Sequence, residues 1–255
     1  MGSDILAWQP EGSLVKAVWQ PGDQVQDIIE ANSGEWAGVL RQVYNLAEEI
    51  TIPASIALEL GAKESAERCF EVISTYCYWA KIGEELEYHG KQYSDGSVTL
   101  SYGFEYYPNA LEIQRQFEEV ASEILLQAQG LALADQLLYF NKWLVLNVDY
   151  EKEGRFATRR SAYAALVGRH ALCSGYTRAF QILASAAGAE SYYITGKTGD
   201  VNHSWNMVVI DGQEYFFDVT WNIGAITGTF FVFVNRERFE RDHTSGAIYG
   251  NLKLL

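Results

Sequence analysis

Asp211-Gly212 stands between HSWNMVVI and QEYFFDVTW, two runs rich in β-branched and aromatic residues. Asp-Gly in that setting predicts a β-hairpin with a two-residue turn, because both central positions of such a turn need positive φ. The tight turn fixes the register. Ile210 then faces Gln213, and Asp218 falls opposite Trp205. His203 shares the face of Trp205 and lies diagonal to Asp218, roughly 7–8 Å away at Cα, within side-chain reach. A slip of one residue would put the two on opposite faces. Asp218 sits inside the apolar run FFDVTW. An unpaired charge there would be costly, so it calls for a partner, and the register offers His203.

Upstream, CSGYTRAFQILASAA carries apolar residues at helical spacing, with Tyr176, Phe180, Leu183 and Ala187 in one row and Gly188 at the expected stop. This predicts a buried helix with Cys173 at its N-terminus. The first N–H groups of a helix have no internal partners, and the dipole there favours negative charge. A cysteine so placed ionises more easily, and the same N–H groups can hold an oxyanion. Read alone, Cys173 is more simply a small core thiol. With an imidazole and a carboxylate on the hairpin, it completes the parts of an activated sulfur nucleophile: Cys173, His203 and Asp218.

These segments, AYAALVGRHALCSGYTRAFQILASAAG and NHSWNMVVIDGQEYFFDVTWN, resemble the transglutaminase-like superfamily in its bacterial form, as does the preceding DQLLYFNKWLVLNVDY. The resemblance covers roughly residues 131–241. It implies an α+β, papain-like core: a nucleophile helix packed on an antiparallel β-sheet. It also implies Cys173 as nucleophile, His203 as base and acid, and Asp218 as the residue that orients the imidazole. Families of this kind include protein cross-linkers, deamidases, peptidases and members without a working triad. Cys173 lies in HALCSGY rather than the GQCW-like context of the animal cross-linking enzymes, and no EF-hand-like loop is present, so calcium is not implied.

The chain has 255 residues, 48% of them hydrophobic, enough for a sizeable core in one or two parts. A net charge of −14 argues against nucleic acid or an anionic membrane as the main partner. No run is apolar for long enough to span a bilayer. The expected partner is a protein or peptide substrate; the oligomeric state is open. Cys69 and Cys77 fall in one expected helix, about 12 Å apart along its axis, too far for a disulfide. No CxxC or HExxH pattern occurs, and Cys173, His203 and Asp218 fall short of a structural zinc set, so neither metal nor cofactor is expected. Met1-Gly2-Ser3 resembles a remnant of recombinant expression. On that reading the chain belongs outside or on the surface of a bacterial cell; as a native start it points to the cytoplasm.

Two regions are expected. Residues 1–108 form an accessory region: a polar, loop-like start to about Ser33, helices over Glu35–Ile50 and Ala62–Leu86, and a hairpin on Ser94-Asp95-Gly96. Residues 109–255 form the catalytic domain. It has helices over Leu111–Gln129 and Asp135–Val148, a charged loop over Glu151–Arg160, the site segments, a strand GTFFVFV, a short helix over Asn235–Arg241, and a tail over the sheet edge. Arg155, Arg159 and Arg160 are candidates for a groove rim, and His170 for the end of a loop. The rival to a thiol enzyme acting on an amide is a non-catalytic binding or cell-surface module on the same fold, in which Cys173 would be sealed from solvent.

Overall fold

The computed structural model describes residues 19–81, 88–102, 105–155, 158–224 and 231–249. Expectations for the first residues, Leu86 and Gly228–Phe230 lie outside that set.

In the first part, α1 (Val25–Ala31) and α2 (Ala37–Tyr44) lead into β1 (Glu49–Ile52), then α3 (Ala54–Leu60) and α4 (Ala62–Tyr76). Strands β2 (Ala80–Lys81), β3 (Tyr88–Gln92), β4 (Val98–Tyr102) and β5 (Glu105–Tyr106) follow. The predicted hairpin is β3–β4, and β1 adds to it in the order β1-β4-β3. The helix expected over Glu35–Ile50 is therefore wrong at its end. Leu46 takes a left-handed φ of 59°, and the alternating Glu-Ile-Thr-Ile that follows buries Ile50 and Ile52 as a strand. Likewise α4 stops at Tyr76, where Cys77 leaves helical geometry. Tyr78 then stacks on Phe117 with centroids 3.7 Å apart, a contact that a continuing helix would not direct. Helices α1 and α3 were not anticipated.

The second part begins with α5 (Ala110–Ala128) and α6 (Leu133–Asn147), close to the expected spans. Then come β6 (Asp149–Tyr150), α7 (Ala162–Leu166), β7 (His170–Ala171), α8 (Cys173–Ala186), β8 (Glu190–Thr198), β9 (Val201–Ile210), β10 (Gln213–Phe217), α9 (Arg236–Phe239) and β11 (Thr244–Tyr249). The main sheet has the order β10-β9-β8-β11, all antiparallel. The fold is α+β. The tail does cover an edge, as β11 on β8. Of the expected strand GTFFVFV, the described residues Phe231–Val234 form only a bridge, Phe216 to Val234.

Both faces of this sheet are buried. On one, Val208, Ile210, Tyr215 and Phe217 pack with the apolar row of α8 in the main core, which runs on into α1, α2 and α4. On the other, Ile194, Trp205, Met207, Phe216, Phe231 and Phe239 form a separate cluster. The expected boundary near residue 108 falls in the turn before α5, yet the core crosses it.

One carboxylate ties the parts together. Glu118, 7% exposed, accepts the N–H of Val25 at 2.7 Å and of Gln26 at 3.0 Å, two of the donors left over at the start of α1. The acidic face of α5 is thus not wholly solvated. Burial pushes the Glu118 carboxyl up, against the pull of those N–H groups. Glu118→Ala strands both donors, and we expect a loss of about 1–3 kcal/mol, read from the denaturant midpoint.

Candidate active site

The Asp211-Gly212 turn has the predicted geometry, φ 52° and 75°, and Ile210 pairs with Gln213. With that register, Asp218, just past β10, meets His203 on β9: Nε2 to Oδ2 is 2.7 Å. The pair is buried, with side-chain exposures of 7% and 1%. Asp218 Oδ1 accepts from the Thr220 and Trp221 N–H groups, both at 3.1 Å, and from Thr220 Oγ1 at 2.7 Å. These donors hold the carboxylate ionised where water cannot.

Cys173 opens α8 as expected. Three local features fix it there. The Leu172 N–H donates to Arg159 O at 2.8 Å, pinning the preceding residue. Gly175 lets the helix approach that loop: a Cβ would stand 2.8 Å from Arg159 O and from the Ala171 Cβ. Finally, buried polar groups stitch α8 to the sheet. Asn206 Nδ2 donates to Thr177 O at 3.2 Å and Gln181 Oε1 at 3.1 Å, while Gln181 Nε2 donates to Ser191 O at 2.8 Å. Each would be expensive unpaired, so together they set how far α8 slides along β9. Gly175→Ala should cost about 1–3 kcal/mol through this crowding. It should also slow alkylation of Cys173 by displacing it, which a thermal melt and an alkylation time course would read.

The thiol is partly exposed, and His203 and Ser204 are the side chains that act on it. Burial pushes it up, but His203, Ser204 and the Ser174 N–H outweigh burial and bring it below the ordinary thiol value. Burial pushes His203 down, but Asp218 and Cys173 raise it to about 10. Burial likewise pushes Asp218 up, but its two histidine partners and Thr220 bring it to about 2. The three shifts run in the directions that favour an ionised thiol, a protonated imidazole and a carboxylate. Cys69 is the contrast: it is fully buried, and burial pushes it to about 12.

Two residues at the site were not singled out from sequence. Tyr150 pairs with Ala171 in the parallel β6–β7 bridge, and its phenol is electrostatically linked to the Cys173 sulfur. Burial and the neighbouring sulfur push the phenol to about 12. His243, just before β11, places Nε2 2.9 Å from Asp218 Oδ2. Nothing in its sequence setting points to a site; the fold delivers it. His203, Asp218 and His243 lie close enough to ligate an ion, but their facing atoms already meet at hydrogen-bond distances.

Trp205 lies in the opposite-face cluster, its ring 6.0 Å from that of His203, so it is both packing and wall. Arg155 Nε donates to the buried Glu151 at 3.0 Å, and Arg160 O accepts from Arg178 Nη1 at 2.8 Å. His170 is held by Gly168 O at 2.7 Å, at the loop end.

Residues 119–218 match the model of the transglutaminase-like superfamily. Mouse (Mus musculus) kyphoscoliosis peptidase is 23% identical over 148 residues, 51% of this chain and 22% of that protein, so the match spans about a fifth of the relative's length. Among solved structures, a TGase aligns over 56% of this chain and 45% of its own at 16% identity, TM-score 0.36. A candidate cysteine protease from Cytophaga hutchinsonii aligns over 67% and 69% at 13% identity, TM-score 0.38. The span that matches the transglutaminase-like superfamily, residues 119–218, closes on Asp218 and contains both Cys173 and His203.

Proposed function

We propose that the protein is a thiol enzyme that transfers acyl groups from an amide, either a glutamine side chain or a peptide bond, through a thioester. Cys173 is the nucleophile, His203 the proton carrier and Asp218 the residue that orients it. The observation that carries this is the 2.7 Å His203–Asp218 pair beside Cys173, a partly exposed thiol at the start of a helix that His203 shifts toward ionisation.

The steps follow from the groups present. The thiolate attacks the carbonyl carbon, and the oxygen takes up the negative charge beside the N–H of Cys173. As the C–N bond breaks, His203 gives its proton to the departing nitrogen, leaving a thioester and free ammonia or amine. His203, now neutral, takes a proton from water or from a second amine as it attacks the thioester. Water gives a carboxylate, hence deamidation or peptide hydrolysis; an amine gives a cross-linked amide. A protein or peptide substrate fits both outcomes. We treat residues 1–108 as an accessory region and 109–255 as the catalytic domain. The partial exposure of Cys173 favours this reading over a sealed binding module.

The test is alkylation by iodoacetamide, followed by peptide mass mapping. Cys173 should label far faster than Cys69 at neutral pH, and His203→Ala should slow it by about tenfold or more, since an unassisted thiol is only a few per cent ionised there. Equal rates at the two cysteines, untouched by His203→Ala, would end the proposal. A glutamine-containing peptide, with and without a primary amine and weighed after incubation, then separates hydrolysis from transfer.

A further inference from the structure

Asp218 Oδ2 serves two imidazoles at once. His203 Nε2 is 2.7 Å from it and His243 Nε2 is 2.9 Å. The carboxylate can only accept, so each Nε2 carries a proton. That leaves the other nitrogen of His203 for the thiol. The His243 side chain is 0% exposed. It stacks on Phe239 with centroids 3.8 Å apart, meets Trp205 edge-on at 5.0 Å, and has Nδ1 3.3 Å from Phe239 O. A buried imidazole used only for packing could be replaced by an apolar ring. This one instead aims a donor at the same oxygen that His203 uses.

We propose that His243 is a positioning residue that shares Asp218 Oδ2 with His203 and so limits how tightly Asp218 holds the His203 proton. This rests on the thiol-enzyme reading. The physical reason is competition. A carboxylate oxygen with two N–H donors gives less charge to each than to one alone, because charge-assisted bonds draw on the same anion. Too basic an imidazolium keeps its proton, whereas the reaction needs it passed to the departing nitrogen. The other carboxylate oxygen is already engaged by Thr220 and Trp221, so Oδ2 is where this balance is set. The titratable groups that face His243 are Asp218 and, through it, His203 and Cys173. Its neighbour Asp242 is engaged by Arg238 Nη1 at 2.6 Å.

The experiment titrates His203 in the full chain by NMR, with ¹³C-labelled histidine, in wild type, His243→Phe and His243→Gln. Phenylalanine keeps the ring and its stacking but removes the donor; glutamine restores a side-chain N–H. The His203 midpoint should rise by about one pH unit in His243→Phe, a tenfold gain in proton affinity, and return toward wild type in His243→Gln. A midpoint that stays put or falls in His243→Phe overturns the proposal. Should that variant not fold, His243→Met, which also lacks the donor, carries the same expectation. Loss of fold in both, with His243→Gln folded, assigns the donor to stability and likewise overturns it. Iodoacetamide labelling of wild-type Cys173 is run alongside. If it is no faster than at Cys69, the thiol-enzyme reading fails on its own account, whatever His203 does.

Discussion

Cys173→Ala is expected to abolish acyl transfer while leaving the protein folded. The proposed nucleophile has no substitute: Cys69 and Cys77 are buried free thiols in the other half of the chain, and burial pushes both up. Removing the nucleophile of a catalytic triad costs on the order of 10⁵-fold or more in turnover, because the remaining members have nothing to activate. Truncating a partly exposed thiol at a helix start removes little packing, so the unfolding midpoint should move by less than about 1 kcal/mol. The check is paired: product mass after incubation with a glutamine-containing peptide, and thermal unfolding of the same sample. A variant that keeps even a tenth of wild-type turnover would sink the assignment of the nucleophile.

Asp218 is where stability and chemistry meet. Asp218→Ala removes the acceptor for His203 and His243 and for the donors of Thr220 and Trp221, around a carboxylate that is itself fully buried. Breaking a buried charged pair by deleting one partner typically costs about 3–5 kcal/mol, and that is the expected fall in unfolding free energy. Asp218→Asn keeps the shape but brings an amide that can donate. It rewards the wrong tautomer of His203, and turnover should drop by about 10³–10⁴-fold with a smaller loss of stability. Equal, near-wild-type turnover in Asp218→Asn would show that the carboxylate does not orient the ring.

The same carboxylate sets the acid limb of stability. Its folded value of about 2 lies below the usual ~3.9 of an unfolded chain. It therefore stabilises above the unfolded value, and that contribution is lost as pH falls through about 2. His203 has the opposite sign. Held at about 10 against an ordinary ~6.5, it contributes fully below the unfolded value and loses that contribution as pH rises through about 10. Wild-type stability should thus gain most from this pair between about pH 4 and 6.5, and in Asp218→Asn both limbs should flatten. Denaturant midpoints across pH would read this.

How much of this was legible in the sequence follows from the range of each interaction. Asp211-Gly212 wrote its own turn, because positive φ at two adjacent residues is a local demand. The turn then fixed the register that joins His203 to Asp218. The apolar rows of α8 and the stop at Gly188 were likewise local, and they put Cys173 at a helix start. Glu49–Ile52 misled for the same reason in reverse. Its alternation runs for only four residues, too few to outweigh the helical run before it, and its strand identity comes from the partner Val98–Tyr102 that it joins.

The sequence by itself determined the hairpin, the helix and the order of three reactive side chains, since each rests on neighbours a few residues apart. Only the tertiary structure decided that Asn206, Gln181 and Ser191 would lock α8 against the sheet, that Glu118 would start α1, and that Tyr150 and His243 would reach the sulfur and the carboxylate. Those contacts link residues far apart along the chain. Their reason is the cost of leaving buried polar groups unpaired, a cost that exists only once the chain has closed around them.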